Sequence, residues 1–218
     1  MCYLAAASKI GGMARPRNQT ARRTQMVHAA TEAVRRRGLP QLRVADIADA
    51  AGVARGSVHY YFRDLTDLLQ QVYKAAGDRF FAERITEAAT LADARDKLVV
   101  SARHGLPDGP DDELAVVLYE FASAARGEPV YAALAQSLYD RQVAMYAGIF
   151  EVGTAQGHFT LREPLLDVAA NMVALEDAYG LHIVERNPSL PPDRALELLL
   201  GYARAVTGCP DLTPDRRC

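Results

Sequence analysis

Two short apolar-periodic runs that meet at one glycine constrain this chain more than any other feature. Residues 44–51 place Val44, Ile47, Ala48 and Ala51 on one side of a helix, Gly52 breaks the run, and residues 54–62 resume it with Val58 and Phe62 as the inward positions. Helices this short are marginal alone and gain their stability by packing across one another. The pattern therefore predicts a helix-turn-helix whose second helix leaves Arg55, Gly56, Ser57, His59 and Tyr60 on its outer face. A supporting helix over residues 20–37 precedes it, with Met26, Val27, Ala30, Ala33 and Val34 at helical spacing, Gly38 as stop and Pro40 beyond.

Charge divides the chain at the same place. Residues 1–62 carry ten Lys and Arg against Glu32, Asp46 and Asp49, while the remainder carries fifteen against twenty-four acids. A basic segment on an acidic body fits a head that binds a polyanion, because neutralising phosphates supplies much of the affinity for nucleic acid.

The rest of the chain reads as helical throughout. A long helix over 65–89 starts at Asp64, with Asp67 at its third position, and directs Leu68, Leu69, Val72, Tyr73, Ala76 and Phe80 inward. Further helices are expected over 93–104, 112–126, 129–153, 163–185 and 192–207, separated by glycine and proline signals, with no convincing strand. The expectation is an all-α chain: a disordered extension over 1–13, a three-helix head over 14–64, a helical-bundle body over 65–210 and a tail over 211–218.

With these residues in hand a resemblance is evident. Asp46, Ile47, Ala48, then Ala51, Gly52, Val53, then Gly56, Ser57, Val58, then Tyr61, Phe62, Asp64, Leu68 and Leu69 resemble the DNA-binding head of TetR-family regulators over residues 20–70. The resemblance implies a homodimeric transcriptional repressor that binds a palindromic operator through its head and is released by a small-molecule effector bound in the body. Ala54, Arg43 and Leu65 depart from that pattern, standing where a capping serine, a threonine and a phosphate-touching lysine are common in the family. Arg43 is then expected to make a phosphate contact in place of the missing lysine.

The expected DNA-contacting residues are Arg55, Gly56, Ser57, His59 and Tyr60 on the second short helix, with Arg43 before the first. Arg55 suits a bidentate bond to guanine or a phosphate contact, and Gly56 permits close backbone approach. Arg15, Arg17, Arg22 and Arg23 precede or open the first helix, where a flexible arm would add affinity more than sequence choice.

In the body, residues 163–185 are apolar around most of the helix, so that this helix is expected to be buried on two sides and, with residues 192–207, to form the dimer interface. The expected effector residues are Tyr119, Glu120, Ser123, Tyr146, Met172, Glu176 and Tyr179. Acids on such helices are costly unless paired, so either Glu176 and Asp177 bridge to Arg141, Arg204 or His182, or they receive a polar or cationic effector; a long apolar effector fits Leu134, Leu138, Met145, Ile149 and Phe150 equally well.

Other classes find less support. The five histidines, His28, His59, His104, His158 and His182, lie on separate segments without a metal-ligand or nucleophile motif. Cys2, Cys209 and Cys218 lack disulfide or zinc spacing, so no metal and no cofactor is expected. No stretch reaches the length of a spanning helix, and the expected location is cytoplasmic. The alternative carried alongside the repressor is an architectural or adaptor protein that binds DNA without an effector.

Overall fold

The computed structural model describes residues 14–216, with side chains from residue 19 onward. Among the described residues the regular structure is nine α-helices and one 3₁₀ turn, Leu39–Gln41, with no strand. The chain divides into two compact units at Val72 and Tyr73.

The first unit holds α1 (Ala14–Arg37), α2 (Val44–Ala51), α3 (Arg55–Tyr61) and the opening turns of α4 (Leu65–Thr90). Its core is Met26, Ala30 and Val34 of α1, Ile47 and Ala48 of α2, Val58 of α3, Phe62, and Leu68 and Val72 of α4, none more than 2% exposed. Each large apolar side chain buried this way contributes about 1.5–3 kcal/mol. The tight angle between α2 and α3 rests on Gly52, whose φ of 65° and ψ of 35° are left-handed and whose N–H returns to the carbonyls of Ala48 and Asp49. A side chain at that backbone conformation costs about 1–2 kcal/mol.

The helix starts follow from local chemistry. Arg43 N–H donates to Asp46 Oδ2 at 2.9 Å at the start of α2, and Asp46 also accepts from Arg37 at 2.9 Å. Asp64 opens α4 by accepting the Asp67 N–H at 2.8 Å, while Asp67 accepts from Arg63 N–H at 3.0 Å. Ala54 stands at the start of α3 with no side-chain cap.

Three expectations need correction here. First, α1 starts at Ala14 rather than at residue 20, so the backbone of Arg15 and Arg17 is helical, not a flexible arm. Pro16 is tolerated because the first four N–H groups of a helix have no intrahelical partner. The side chains of Arg15 and Arg17, the extension over 1–13 and the last two residues lie outside the described residues. Second, the division falls at Val72, not at residue 64, because Leu68 and Val72 are buried in the first unit. Third, residues 211–216 are packed rather than a loose tail. Leu212 is fully buried, its carbonyl accepts from Arg204 at 2.6 Å, and Pro214 O accepts from Arg103 at 2.6 Å. Arg216 bonds both Asp96 and Asp93, the latter at 3.0 Å.

The second unit contains the rest of α4 with α5 (Ala94–Gly105), α6 (Glu113–Ala124), α7 (Pro129–Ala155), α8 (Leu165–Val184) and α9 (Pro192–Thr207). Leu98 of α5, Tyr146 and Phe150 of α7, Val168 and Met172 of α8, and Leu199 and Leu200 of α9 form its centre, all essentially closed to solvent. Asp93 caps α5 and Asp112 caps α6 through their carboxylates. The Arg95 side chain, bonded to Asp93, holds that carboxyl well below the usual carboxylate range. α6 joins this unit through Phe121, which stacks on Tyr73 with centroids 4.8 Å apart and meets Tyr131 edge-on. No helix among the described residues is long and apolar enough to cross a membrane.

Candidate functional site

The first unit presents a polar face on α3. Val58 turns into the core, which obliges its neighbours outward: Arg55, Gly56, His59 and Tyr60 are exposed and Ser57 half-buried. Tyr60 is 71% exposed, an unusual position for a large aromatic ring, and its hydroxyl is met by Gln19 Nε2 at 3.3 Å. Tyr61 lies edge-on against Tyr60 and is half-buried. Arg43 is also exposed, at the start of α2.

Arg22 and Arg23 differ in their surroundings. Arg22 is exposed and bonds Gln25 on its own helix at 2.9 Å. Arg23 instead donates to the Tyr61 carbonyl at 2.6 Å and lies over the Phe62 ring at 4.5 Å. Its guanidinium caps the end of α3, where orphan carbonyls attract cations, so Arg23 holds α3 in place.

The second unit holds a half-open cavity of about 1610 Å³ among α4, α5, α6, α7, α8 and the segment 106–112. Its apolar wall includes Leu106, Leu114, Leu118, Leu138 and Leu181, with the rings of Tyr73, Phe80, Tyr119 and Tyr139. The charged lining is one-sided. Glu83, Glu87 and Asp177 stand on the long helices, and Asp108, Asp111, Asp112 and Glu113 on the loop and the start of α6, against only Arg79 and Arg103. Desolvation by the packed wall pushes the Asp177 carboxyl up to about 6 although the side chain opens to the cavity, with the Arg84 charge pulling the other way. Burial likewise raises the phenols of Tyr73, to about 12, and Tyr119, and the negative charge of Asp177 adds to both.

Of the expected effector residues, only Tyr119 lines this cavity, with its hydroxyl donating to the Asp177 carbonyl at 3.2 Å. Glu120, Ser123 and Tyr179 are not on the wall, and Tyr179 packs against the core. The wall of α6 runs through Leu114, Ala115, Leu118, Tyr119 and Ala122, so Glu120 and Ser123 fall on other faces of the same helix. Met172, Tyr146 and Glu176 belong to the closed core instead.

Glu176 is neither bridged to Arg141, Arg204 or His182 nor open to the cavity. Its partner is Arg84 of α4, which sequence reasoning missed: Nη2 of Arg84 meets Glu176 Oε1 at 2.8 Å with both side chains closed to solvent. The same guanidinium donates to Gln142 Oε1 at 2.9 Å, the Ser101 carbonyl at 2.9 Å and the Tyr146 hydroxyl at 3.1 Å, and Tyr146 donates to Glu176. Desolvation pushes the Glu176 carboxyl up while the guanidinium pulls it down. The ionised form prevails near neutrality, because a protonated Glu176 would leave a fully buried guanidinium without its counter-charge. The signal was present in the sequence: Arg84 continues the inward stripe of Ala76 and Phe80 at helical spacing.

Residues 26–72, which carry α2, α3 and most of the core of the first unit, match the family described as bacterial regulatory proteins, tetR family. A fatty acid metabolism regulator protein of Bacillus subtilis is 34% identical over 95 residues, covering 43% of this chain and 48% of its own length, so that match spans about half of the relative. The solved structure of a Rhodococcus sp. protein assigned to the TetR family superposes with a TM-score of 0.76 at 26% identity, over 85% of this chain and 98% of that one. A protein of Saccharomonospora viridis crystallised in complex with choline has a TM-score of 0.78 at 24% identity, over 85% and 96%, a likeness of fold. Over residues 26–72 this chain thus matches the tetR family of bacterial regulatory proteins, and its all-helical architecture is similar to that of a solved TetR-family structure.

Proposed function

We propose that this protein is a homodimeric transcriptional repressor that binds a palindromic operator through α3 and is released by a small molecule held in the acidic cavity. The observation that carries the reading is the exposed face of α3, with Arg55, Gly56, Ser57, His59 and Tyr60 displayed on a helix whose other side is fixed by Val58. A helix anchored this way reaches base edges in the major groove, with Arg43 and Arg22 supplying phosphate contacts. Pairing through α8 and α9 would hold two heads about 34–36 Å apart, one DNA turn. Leu166 on α8, a large apolar side chain left 63% exposed, supports that face. No catalytic role is assigned.

A cavity of this size, set among the helices of one unit, supports an effector over the alternative of a ligand-free adaptor. The regulators named above point to two effector chemistries, one relative being named for fatty acid metabolism and one structural neighbour holding choline. Selection of bound fragments from random duplexes, followed by anisotropy titration of the recovered sequence, tests the reading. The expected result is a recurring palindrome bound far more tightly than random duplex. Absence even of nonspecific binding, with a Kd of about 10⁻⁴ to 10⁻⁶ M at moderate salt, overturns it.

A further inference from the structure

We infer that the cavity of the second unit takes an organic cation, an ammonium group carried on an apolar body, with its charge seated at Asp177 beside Tyr73 and Tyr119. The inference rests on reading this cavity as the effector seat and adds the chemical class of the effector.

The wall supplies more negative charge than positive, seven acids against Arg79 and Arg103, with Arg186 from beyond the wall pairing Asp111 at 2.6 Å. Arg79 pairs with Glu83 at 2.8 Å, so that the two cancel, and Arg103 keeps its charge but is turned to the Pro214 carbonyl. His104 is turned to Glu87 at 3.1 Å. Glu176 and Asp177 are consecutive on α8, and one buried guanidinium, Arg84, serves the pair by bonding Glu176 alone. The Asp177 carboxylate meets no ion-pair partner among the described residues.

A second observation points the same way. Glu176 is 1% exposed, and its Oε2 accepts no hydrogen bond among the described residues. Its carboxylate occupies the room a side chain at Gly105 would fill, and Gly105 belongs to the cavity wall. The Arg84–Glu176 pair therefore stands behind a bare glycine of the cavity wall, with one carboxylate oxygen left without a hydrogen bond among the described residues.

The remaining wall suits the rest of such a ligand. Tyr119, whose hydroxyl bonds the Asp177 carbonyl at 3.2 Å, brings an aromatic ring to that residue's carboxylate, and the Tyr73 ring lines the wall with one face stacked on Phe121; carboxylate and aromatic rings together suit an ammonium group. Leu106, Leu118 and Leu181 accept an apolar chain. A carboxylate or phosphate ligand would meet the unpaired Asp177 and a wall with an excess of acids.

Calorimetry of the full chain with two probes of equal chain length, decyltrimethylammonium and decanoate, each below its micelle concentration, tests the inference. The ammonium probe is expected to bind at least about tenfold tighter than decanoate, a difference of about 1.4 kcal/mol. Asp177→Asn is expected to lower ammonium affinity about tenfold and to leave decanoate equal or tighter, while Asp177→Glu retains the preference for the cation. Ala178→Trp, which fills the cavity from an exposed position on α8, separates the two readings. If both probes bind Ala178→Trp as they bind the parent, the cavity is not the seat. If Ala178→Trp blocks binding but decanoate binds the parent as well as the cation does, or Asp177→Asn leaves the cation unaffected, the seat stands and the cationic class is overturned. Failure of the parent to bind the ammonium probe also overturns the class.

Discussion

Arg84 on α4 and Glu176 on α8 meet at 2.8 Å with neither side chain open to solvent. Through Ser101, Gln142 and Tyr146 the same guanidinium also ties α5 and α7, so one buried charge fixes the register of four helices. Among the described residues Arg84 Nε, Ser101 Oγ and Glu176 Oε2 have no hydrogen-bond partner, so the network is only partly satisfied there.

Removing one member of this pair is expected to cost more than removing both. Arg84→Met leaves a buried carboxylate unpaired and should lose about 3–5 kcal/mol of stability, whereas Arg84→Met with Glu176→Leu should recover most of that loss. Urea unfolding of the two variants checks this. Equal destabilisation by the single and double variants would show that the ionic contact is not what the core depends on.

Asp177 gives a pH signature of opposite sense to an ordinary paired acid. Its carboxyl is raised to about 6 in the folded chain from an ordinary 3.8, so the folded state binds the proton more readily than the unfolded one. Stability from this group is full below the ordinary value and is lost as pH rises toward about 6. Arg84, Glu176, Tyr119 and Tyr73 are the groups that share its surroundings. Asp177→Asn should therefore raise the melting temperature of the ligand-free protein at pH 7 by a few degrees, about 1 kcal/mol or less after solvent screening. It should have no such effect at pH 3. A lower melting temperature at pH 7 would contradict the assignment.

The head was legible because its chemistry is local. Gly52 at the turn, Val58 turned in and Tyr60 turned out all follow from spacing along one short segment. The cavity was less so. Glu176 and Asp177 are neighbours in sequence, yet the helical advance sends one to Arg84 and the other to the cavity, and only the positions of α4 and α6 decide which. The segment 106–112 supplies part of the wall from an irregular loop, and periodicity says nothing about where a loop lies. Residues 211–216 resembled a tail because short polar ends usually are, and the buried Leu212 shows the contrary here.

Arg23 and Arg55 should separate folding from reading. Arg55→Ala is expected to weaken operator binding by about 1–3 kcal/mol with the melting temperature unchanged. Arg23→Ala, which removes a charged hydrogen bond to the Tyr61 carbonyl and the contact over Phe62, is expected to destabilise the head by about 1–3 kcal/mol. Thermal unfolding beside anisotropy titration distinguishes them; identical profiles for the two variants would refute the division.

Sedimentation equilibrium at micromolar concentration should return twice the chain mass of 23.8 kDa. Leu166→Arg is expected to weaken that dimer, because it places a charge where the largest exposed apolar side chain of α8 stands. A monomeric parent chain would remove the geometric basis for reading a palindrome.

The most direct test of control is reciprocal binding. If the cavity and the reading helix are coupled, a ligand that lowers operator affinity tenfold must itself bind the DNA-bound protein tenfold more weakly, about 1.4 kcal/mol in each direction. Calorimetry of decyltrimethylammonium against the free protein and against the protein saturated with its selected duplex measures both sides. The account predicts weaker binding on DNA by the same factor with which the probe weakens DNA binding. Equal affinity for the two forms, with DNA still released, would contradict it.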